Sequence, residues 1–317
     1  MRILLASPLD DKAVHHLSTS HDVVCSFSPK PSLLIDLIRD RDVLVFRSGV
    51  SLTRDVLEAA PELKLVVRAG CGLDNIDMGY IEEQGIALVR VPQPASRAVA
   101  EMTFALMLAL ARNVREADAL LRQGHWAKEE LESYLLHGKV LGIIGAGNIG
   151  TRVGELGRAF GMRPIGCVEY PDVNISGQLH RSGIELKDFD EVVATADFVT
   201  VHVPLQASTQ GLISADVIAR MKPGVYLLNL ARGGVLDEAA LHRALVEGRL
   251  RGAALDVHED EGEGKISCLA ALPNVLLTPH IGSSTVDTQR EIGERVIEII
   301  ESFAASRSEP AASQVAA

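Results

Sequence analysis

The feature that most constrains the fold is a glycine-rich turn near the middle of the chain. An apolar run at residues 140–144 leads directly into Gly145-Ala-Gly147-Asn-Ile-Gly150, the Gly-x-Gly-x-x-Gly pattern of a strand-to-helix turn that holds a dinucleotide pyrophosphate. The first glycine permits a tight bend, the second lets the backbone approach the phosphate, and the third lets helix and strand pack closely. Such a turn ordinarily opens its domain, yet nearly half of the 317 residues precede it. We therefore predict another domain upstream.

Short apolar runs alternate with helical patterns on both sides of this turn. Before the turn we predict strands at residues 3–6, 23–27, 43–46, 65–67 and 86–91. From the turn onward we predict strands at 140–144, 164–168, 198–203, 225–230, 253–257 and 275–278. Strands that alternate with helices are typical of parallel sheets. The predicted fold class is therefore α/β, with two doubly wound parallel sheets.

Two long helical patterns indicate where the chain passes between the predicted domains. Residues 99–111 lie between the two sets of strands, and residues 286–303 follow the last strand and are expected to return to the first domain. The predicted division is residues 1–98 with 287–317 for one domain and residues 99–286 for the other. The second domain is thus inserted into the first.

Composition argues against several classes of partner and site. The chain has 31 basic and 42 acidic residues, a net charge of −11, whereas binding to a nucleic-acid backbone requires clustered cations. Its four cysteines form no Cys-x-x-Cys pair, so we expect neither a metal site nor a disulfide framework, as in a cytoplasmic protein. The N-terminus meets charged residues too early for a secretory signal, and the longest apolar run, residues 104–111, is shorter than the ~20 residues that span a bilayer. We expect no nucleic-acid partner and no membrane segment.

Polar residues cluster at the predicted strand ends of the second domain, where ligands bind in open parallel sheets. Hydride transfer to a carbonyl needs a cation for the substrate carboxylate, a proton donor for the developing alkoxide, and a carboxylate that orients the donor. Arginine, histidine and an acid at neighbouring strand ends meet these needs, although each alone could be an ordinary surface charge. Which of three consecutive acids pairs with the histidine stays open. The residues concerned are His202, Arg232, Asp256, His258, Glu259, Asp260, Glu261 and His280.

Several motifs follow one another in a characteristic order. They are Arg68-Ala-Gly-Cys-Gly-Leu-Asp-Asn-Ile-Asp77, Val99-Ala-Glu101, the glycine turn, His202-Val-Pro-Leu205, Asn229-Leu-Ala-Arg-Gly-Gly-Val-Leu-Asp-Glu238, Ala254-Leu-Asp-Val257 with Glu261, and Thr278-Pro-His-Ile-Gly282. With them the chain resembles the D-2-hydroxyacid dehydrogenase family, and within it the phosphoglycerate dehydrogenases in a short form without a regulatory domain. The resemblance implies a Rossmann NAD-binding domain inserted into a flavodoxin-like substrate domain, NAD as cofactor, and a homodimer.

The same resemblance implies a role for each candidate residue. His280 would exchange the proton, Glu261 would be its carboxylate partner, Arg232 would clamp the substrate's carboxylate and keto oxygen, and Asp256 would hold the nicotinamide carboxamide. Gly262 stands where the family usually has a proline, so we expect a looser loop there. The other residues of the implied cofactor site are Gly145, Gly147, Asn148, Ile149, Gly150, Glu169, His202, Val203, Pro204, Ala231 and Gly282.

The acid that favours NAD over NADP is displaced by one position. Where the family ordinarily ends its second nucleotide strand in an aspartate, this chain has Val168, and Glu169 follows. Strand side chains alternate between faces, so this shift directs the carboxylate away unless a longer side chain at a fraying strand end reaches back. A carboxylate there would repel the extra phosphate of NADP, and no arginine follows until Arg181. We expect NAD; the alternative is that Glu169 is simply solvated.

The predicted substrate site adds residues from the first domain: Arg47, Arg68, Ala69 and Gly70, together with Arg232 and His280. The two first-domain arginines match phosphate-binding positions of phosphoglycerate dehydrogenases, and arginine binds phosphate bidentately; surface ion pairs are the alternative. Two prolines and Arg97 in residues 91–98 replace a loop that is usually rich in Gly and Asn. The expected substrate pair is 3-phosphoglycerate and 3-phosphohydroxypyruvate. The alternatives are a glyoxylate or hydroxypyruvate reductase and a corepressor-like protein that senses NAD.

Overall fold

The computed structural model describes residues 1–47, 49–70 and 72–308, and its contacts divide the chain into two compact units. Unit 1 comprises Met1–Ala95 and Ser284–Ala317, and unit 2 comprises Ser96–Ser283. Unit 2 is therefore inserted into the chain of unit 1.

The strands are β1 (Arg2–Leu5), β2 (Asp22–Cys25), β3 (Val43–Phe46), β4 (Leu65–Arg68), β5 (Ala87–Arg90), β6 (Val140–Ile144), β7 (Arg163–Cys167), β8 (Glu185–Leu186), β9 (Phe198–Val201), β10 (Val225–Asn229), β11 (Leu250–Leu255) and β12 (Val275–Leu277). The helices are α1 (Asp11–Ser20), α2 (Pro31–Ile38), α3 (Arg54–Glu58), α4 (Met78–Glu83), α5 (Gln93–Ala111), α6 (Val114–Arg122), α7 (Asn148–Ala159), α8 (Val173–Arg181), α9 (Phe189–Thr195), α10 (Ala215–Arg220), α11 (Glu238–Val246) and α12 (Val286–Ser308). Every strand predicted from the sequence is present. The sequence missed β8, because two residues carry no recognisable period.

Unit 1 is built on a five-stranded parallel sheet in the order β2-β1-β3-β4-β5, the flavodoxin-like order. Its central strands are buried on both faces, so successive residues enter two different cores. Leu4 and Leu44 pack on the α2 and α3 side, whereas Ile3 and Val43 pack with Ile292 of α12 on the other side. The last helix of the chain therefore completes the core of unit 1.

Unit 2 is built on a seven-stranded parallel sheet in the order β12-β11-β10-β9-β6-β7-β8. Counted from β6, the order is that of the doubly wound dinucleotide-binding fold with one further strand at the edge. The direction of winding reverses between β6 and β9, which pair in parallel. Ligands of such sheets bind beyond the carboxyl ends of the strands at this reversal. The predicted fold class is confirmed for both sheets.

Helix α5 begins at Gln93, earlier than the start at residue 99 that the sequence pattern suggested. Pro94 does not prevent this start, because proline is tolerated in the first turn of a helix. Among the described residues it is the one helix long and apolar enough to cross a membrane, and 67% of its apolar window is buried inside the structure. Phe104 and Met107 pack against Leu141 and Ile143 of β6. Its apolar composition is therefore accounted for by the core of unit 2.

Candidate active site

The glycine turn joins β6 to α7 and requires glycine at two of its three positions for steric reasons. Gly145 has φ +92°, and a Cβ there would lie 2.7 Å from the carbonyl oxygen of His202. A Cβ at Gly150 would overlap the carbonyl of Gly145. Gly147 instead faces open space and precedes α7 with no side chain to cap it. The first N–H groups of α7 are thus available to an anion.

A cavity of about 980 Å³ lies beside this turn. Its walls combine the turn with the ends of β7 and β9 and with apolar side chains such as Val168 and Leu212. An open glycine, an uncapped helix start and an apolar wall fit the phosphates and adenosine of a dinucleotide. The predicted cofactor residues that line the cavity are Gly145, Gly147, Glu169, His202, Val203 and Pro204. Among the described residues, no group of three or more His, Cys, Asp or Glu side chains is placed to hold a metal ion.

Glu169 lies at the rim of this cavity. Strand β7 ends at Cys167, so the alternation of side chains that the sequence argument applied to Glu169 no longer governs it. The carboxylate Oε2 accepts a hydrogen bond from Gln206 Nε2 at 3.2 Å, and both residues line the cavity. The sequence analysis missed Gln206, which lies just after the His202-Val-Pro204 motif.

His202 is neutral at physiological pH. Burial lowers its pKa to about 3, and its Nε2 lies 2.9 Å from Thr200 Oγ1. Its buried Nδ1 has no hydrogen-bond partner among the residues that the structure describes. An imidazole that stays neutral suits a wall of the cofactor cavity better than a proton donor.

The structure pairs His280 with one of the three consecutive acids. His280 Nδ1 lies 2.9 Å from Glu261 Oε2. Burial of Glu261 raises its pKa, but the hydrogen bond from His280 and the backbone N–H of His258 outweigh burial, so its pKa lies below the ordinary value. An ionised carboxylate only accepts a hydrogen bond, so His280 carries a proton on Nδ1, and its Nε2 is the ring nitrogen that this contact leaves open. Glu259 is engaged elsewhere, because its Oε1 accepts from the backbone N–H of Glu238 at 3.2 Å.

Asp256 shapes the loop that carries His280. Its Oδ1 accepts from Thr278 Oγ1 at 2.6 Å and from the N–H of Ile281 at 2.9 Å, while Oδ2 accepts from the N–H of Gly282 at 2.7 Å. His280 has φ +54°, a backbone conformation that residues other than glycine rarely adopt. The three hydrogen bonds to a carboxylate that is 2% exposed hold this strained turn in place.

Arg232 lies in the loop after β10, where a buried asparagine fixes the backbone. Asn229 Nδ2 donates to the carbonyl of Arg232, and its Oδ1 accepts from the N–H of Ala231, each at 3.0 Å. A Cβ at Gly233 would overlap the carbonyl of His258, so this loop packs directly against the one that carries Glu261. The sequence analysis did not single out Asn229 itself, although its motif ends a buried strand with a polar residue.

A second cavity of about 590 Å³ is lined by His280 and Glu261 together with residues of the 262–267 loop. Gly262 and Gly264 in this loop have φ +129° and +78°, which a proline could not adopt because its ring fixes φ near −65°. The loop therefore takes a path that a proline at position 262 would forbid.

The predicted substrate residues of unit 1 lie at the ends of β3 and β4. Arg68 is 3% exposed, its guanidinium carbon lies 5.2 Å from the ring centroid of Phe46, and its Nε donates to the carbonyl of Gly72 at 2.9 Å. Arg47 is partly buried, and burial lowers its pKa. Ala69 and Gly70 are buried in the same strand end, where a Cβ at Gly70 would lie 2.9 Å from Arg68 Nη1. Arg68 therefore shapes the loop after β4.

Comparison with known proteins identifies the family. Residues 104–282 match the family model described as D-isomer specific 2-hydroxyacid dehydrogenase, NAD binding domain. The chain belongs to this family. The match covers most of unit 2 and includes the glycine turn and all the residues that line the cavity beside it.

Two curated relatives with different activities are similar to the chain over most of its length. The chain is 43% identical to D-3-phosphoglycerate dehydrogenase of Methanocaldococcus jannaschii over 301 residues, covering 95% of this chain and 57% of that protein. It is 40% identical to hydroxypyruvate reductase of Thermotoga maritima over 305 residues, covering 94% of this chain and 97% of that protein. The chain thus spans about half the length of the curated phosphoglycerate dehydrogenases that it matches.

Among solved structures, the chain is similar to D-lactate dehydrogenase from Aquifex aeolicus complexed with NAD and lactic acid. The TM-score is 0.84 at 28% sequence identity, and the alignment covers 96% of each chain. The similarity extends over both units of this dehydrogenase-family chain and confirms the fold that its motifs implied.

Proposed function

We propose that this chain interconverts a D-2-hydroxyacid and its 2-keto acid with a nicotinamide cofactor. The observation that carries the proposal is the 2.9 Å contact between His280 Nδ1 and Glu261 Oε2. This pair lies at the carboxyl ends of the same sheet whose glycine turn fits a dinucleotide. The reduced cofactor, when bound, supplies the hydride that is added to C2 of the keto acid.

The chain's own residues then have separate tasks in keto-acid reduction. Arg232 binds the substrate carboxylate and the keto oxygen, which orients the carbonyl and stabilises negative charge on that oxygen. His280 Nε2 donates the proton that completes the hydroxyl group, and the ionised Glu261 stabilises the imidazolium before this transfer. In the opposite direction His280 accepts the proton.

We place the phosphates and the adenosine of the cofactor in the cavity beside the glycine turn. The N–H groups of Gly147, Asn148, Ile149 and Gly150 at the start of α7 bind the pyrophosphate, because a helix N-terminus favours an anion. His202, Val203 and Pro204 form the wall beside the adenosine. The residues that we assign to the nicotinamide end of the cofactor site are Ala231, Arg232, Asp256, His280 and Gly282. Unit 2 is then the cofactor domain and unit 1 the substrate domain.

The leading substrate is 3-phosphohydroxypyruvate, with 3-phosphoglycerate as its reduced partner. Sequence identity of 43% to a phosphoglycerate dehydrogenase supports this substrate. Arg47 and Arg68 in unit 1 support it as well, because arginine binds phosphate bidentately. Hydroxypyruvate is the second candidate, because the hydroxypyruvate reductase of Thermotoga maritima matches over 97% of its length. Consumption of NADH and of NADPH with 3-phosphohydroxypyruvate, hydroxypyruvate and glyoxylate separates these candidates. A chain that binds NADH yet reduces no acid of this panel would instead be a nucleotide-sensing protein.

Arg68→Ala should discriminate between the two substrates. If Arg68 binds the phosphate, its loss should lower kcat/KM for 3-phosphohydroxypyruvate at least tenfold more than for hydroxypyruvate, since a charged hydrogen bond is worth about 1.5–3 kcal/mol. Arg68 also shapes its loop, so we expect a smaller folded fraction in the variant. The ratio of the two kcat/KM values corrects for this, because unfolding lowers both equally. An unchanged ratio would show that Arg68 does not bind the phosphate of the substrate.

Glu169→Ala should weaken the preference for NAD. We expect NAD as cofactor because the carboxylate at the rim of the cavity repels the additional phosphate of NADP. Its removal should lower the ratio of kcat/KM for NADH to that for NADPH by about tenfold, the effect of losing ~1.4 kcal/mol. Glu129→Ala, a substitution of an exposed glutamate in unit 2, is the charge-matched control. Equal ratios in both variants would leave Glu169 without a role in selectivity.

The proposal includes a homodimer. Helix α6 and the segment that follows it expose four large apolar side chains in unit 2: Val114, Leu121, Trp126 and Leu135. Exposed apolar side chains grouped along one segment are typical of protein interfaces. Light scattering of the purified chain distinguishes a dimer from a monomer.

A further inference from the structure

His258 follows β11 and contacts each of the three loops that carry the proposed catalytic residues. Its backbone N–H donates to Glu261 Oε1 at 3.2 Å. Its side-chain Nε2 lies 3.0 Å from the carbonyl oxygen of Thr278, two residues before His280. Its own carbonyl packs so closely on Gly233, next to Arg232, that only glycine fits there.

The tautomer of His258 follows from these contacts. A carbonyl oxygen only accepts, so Nε2 must carry the proton that is donated to Thr278. In the neutral ring Nδ1 is then the bare nitrogen, and it is buried without a hydrogen-bond partner among the described residues. A buried acceptor without a partner destabilises the folded state. A histidine that keeps such an atom buried at this position calls for a functional reason.

We propose that His258 is a positioning residue that holds the loops of Arg232, Glu261 and His280 in one arrangement, and that its Nε2–H is the group on which the His280 loop depends. The inference rests on the proposed function of these three residues. The turn at His280 is strained and is held from one side by Asp256. The hydrogen bond from His258 Nε2 to the Thr278 carbonyl fixes the same turn at its start. The backbone N–H of His258 orients the carboxylate of Glu261, which His280 contacts.

His258→Phe and His258→Gln test this role. Phenylalanine keeps a planar ring but has no donor, whereas the glutamine amide can place an N–H near the position of Nε2. We expect His258→Phe to lower kcat for keto-acid reduction about tenfold with little change in KM for NADH, because the phenyl ring cannot donate the hydrogen bond to Thr278. His258→Gln should recover most of that loss. His180→Phe, at an exposed histidine of α8, is the matched control and should behave as wild type.

A readout that needs no turnover separates this inference from the proposed function. In protein labelled with 15N-histidine, the Nδ1–H resonance of His280, assigned by its absence in His280→Asn, reports the bond to Glu261. It should shift or broaden in His258→Phe and return towards its wild-type position in His258→Gln. If wild type reduces no acid of the panel, the proposed function fails while this spectrum still tests the positioning. An unchanged resonance in His258→Phe, or equal impairment in both variants, would overturn the inference.

Discussion

His280→Asn is expected to lower kcat for reduction of the keto acid by about 10²–10⁴-fold, the range that a positioned acid or base contributes. Asparagine suits this test because, among residues other than glycine, it is one of those that tolerate a positive φ, and His280 has φ +54°. The substitution therefore removes the imidazole while the turn held by Asp256 persists. Stopped-flow measurement of NADH oxidation gives kcat, and NADH fluorescence gives the affinity for the cofactor, which should change little.

Two further variants give this experiment its contrast. His125→Asn removes a histidine whose Nε2 lies 2.8 Å from Glu130 at the surface and should leave kcat unchanged. Glu261→Gln keeps a hydrogen-bond acceptor beside His280 but removes the charge that stabilises the imidazolium, so its loss of kcat should be smaller than that of His280→Asn. Wild-type turnover in His280→Asn would exclude His280 as the proton donor.

The sequence located the candidate site because its main signals are local. The glycine turn at Gly145 and the polar residues after β10, β11 and β12 are short patterns, and parallel topology alone brings the ends of neighbouring strands to one edge. Arg232, His280 and an acid within residues 259–261 are predicted from the sequence for this reason.

The choice among Glu259, Asp260 and Glu261 could not be made from the residues alone. It depends on contacts between segments far apart in sequence: Glu259 is held by the N-terminus of α11, while Glu261 faces the loop after β12. Asn229 and His258 were overlooked as organising residues for the same reason, since their partners are set by packing. The face that Glu169 presents could not be inferred either, because strand alternation stops where β7 ends.

Asp42→Ala is expected to destabilise unit 1 by about 1–3 kcal/mol, because it removes the acceptor that a backbone N–H and two partly exposed cations share. Asp42 is 8% exposed and precedes β3. Its carboxylate accepts from the backbone N–H of Arg2 at 2.9 Å, from Arg2 Nε at 3.2 Å and from Lys64 Nζ at 2.7 Å. It therefore links the starts of β1, β3 and β4. Asp22→Ala, an exposed aspartate at the start of β2, is the control and should cost less than 1 kcal/mol.

The same ion cluster predicts how stability depends on pH. Hydrogen bonds from Arg2 and Lys64 hold the pKa of Asp42 well below its ordinary value of 3.8, although burial acts in the opposite direction. A carboxyl group with a depressed pKa in the folded state stabilises fully above its unfolded value, and the contribution is lost as pH falls towards the folded value. The difference in urea midpoint between wild type and Asp42→Asn should thus be constant above about pH 5 and narrow below about pH 4. A difference that stays constant through this range would show that the charge of Asp42 contributes nothing and that only its shape and hydrogen bonds stabilise the sheet.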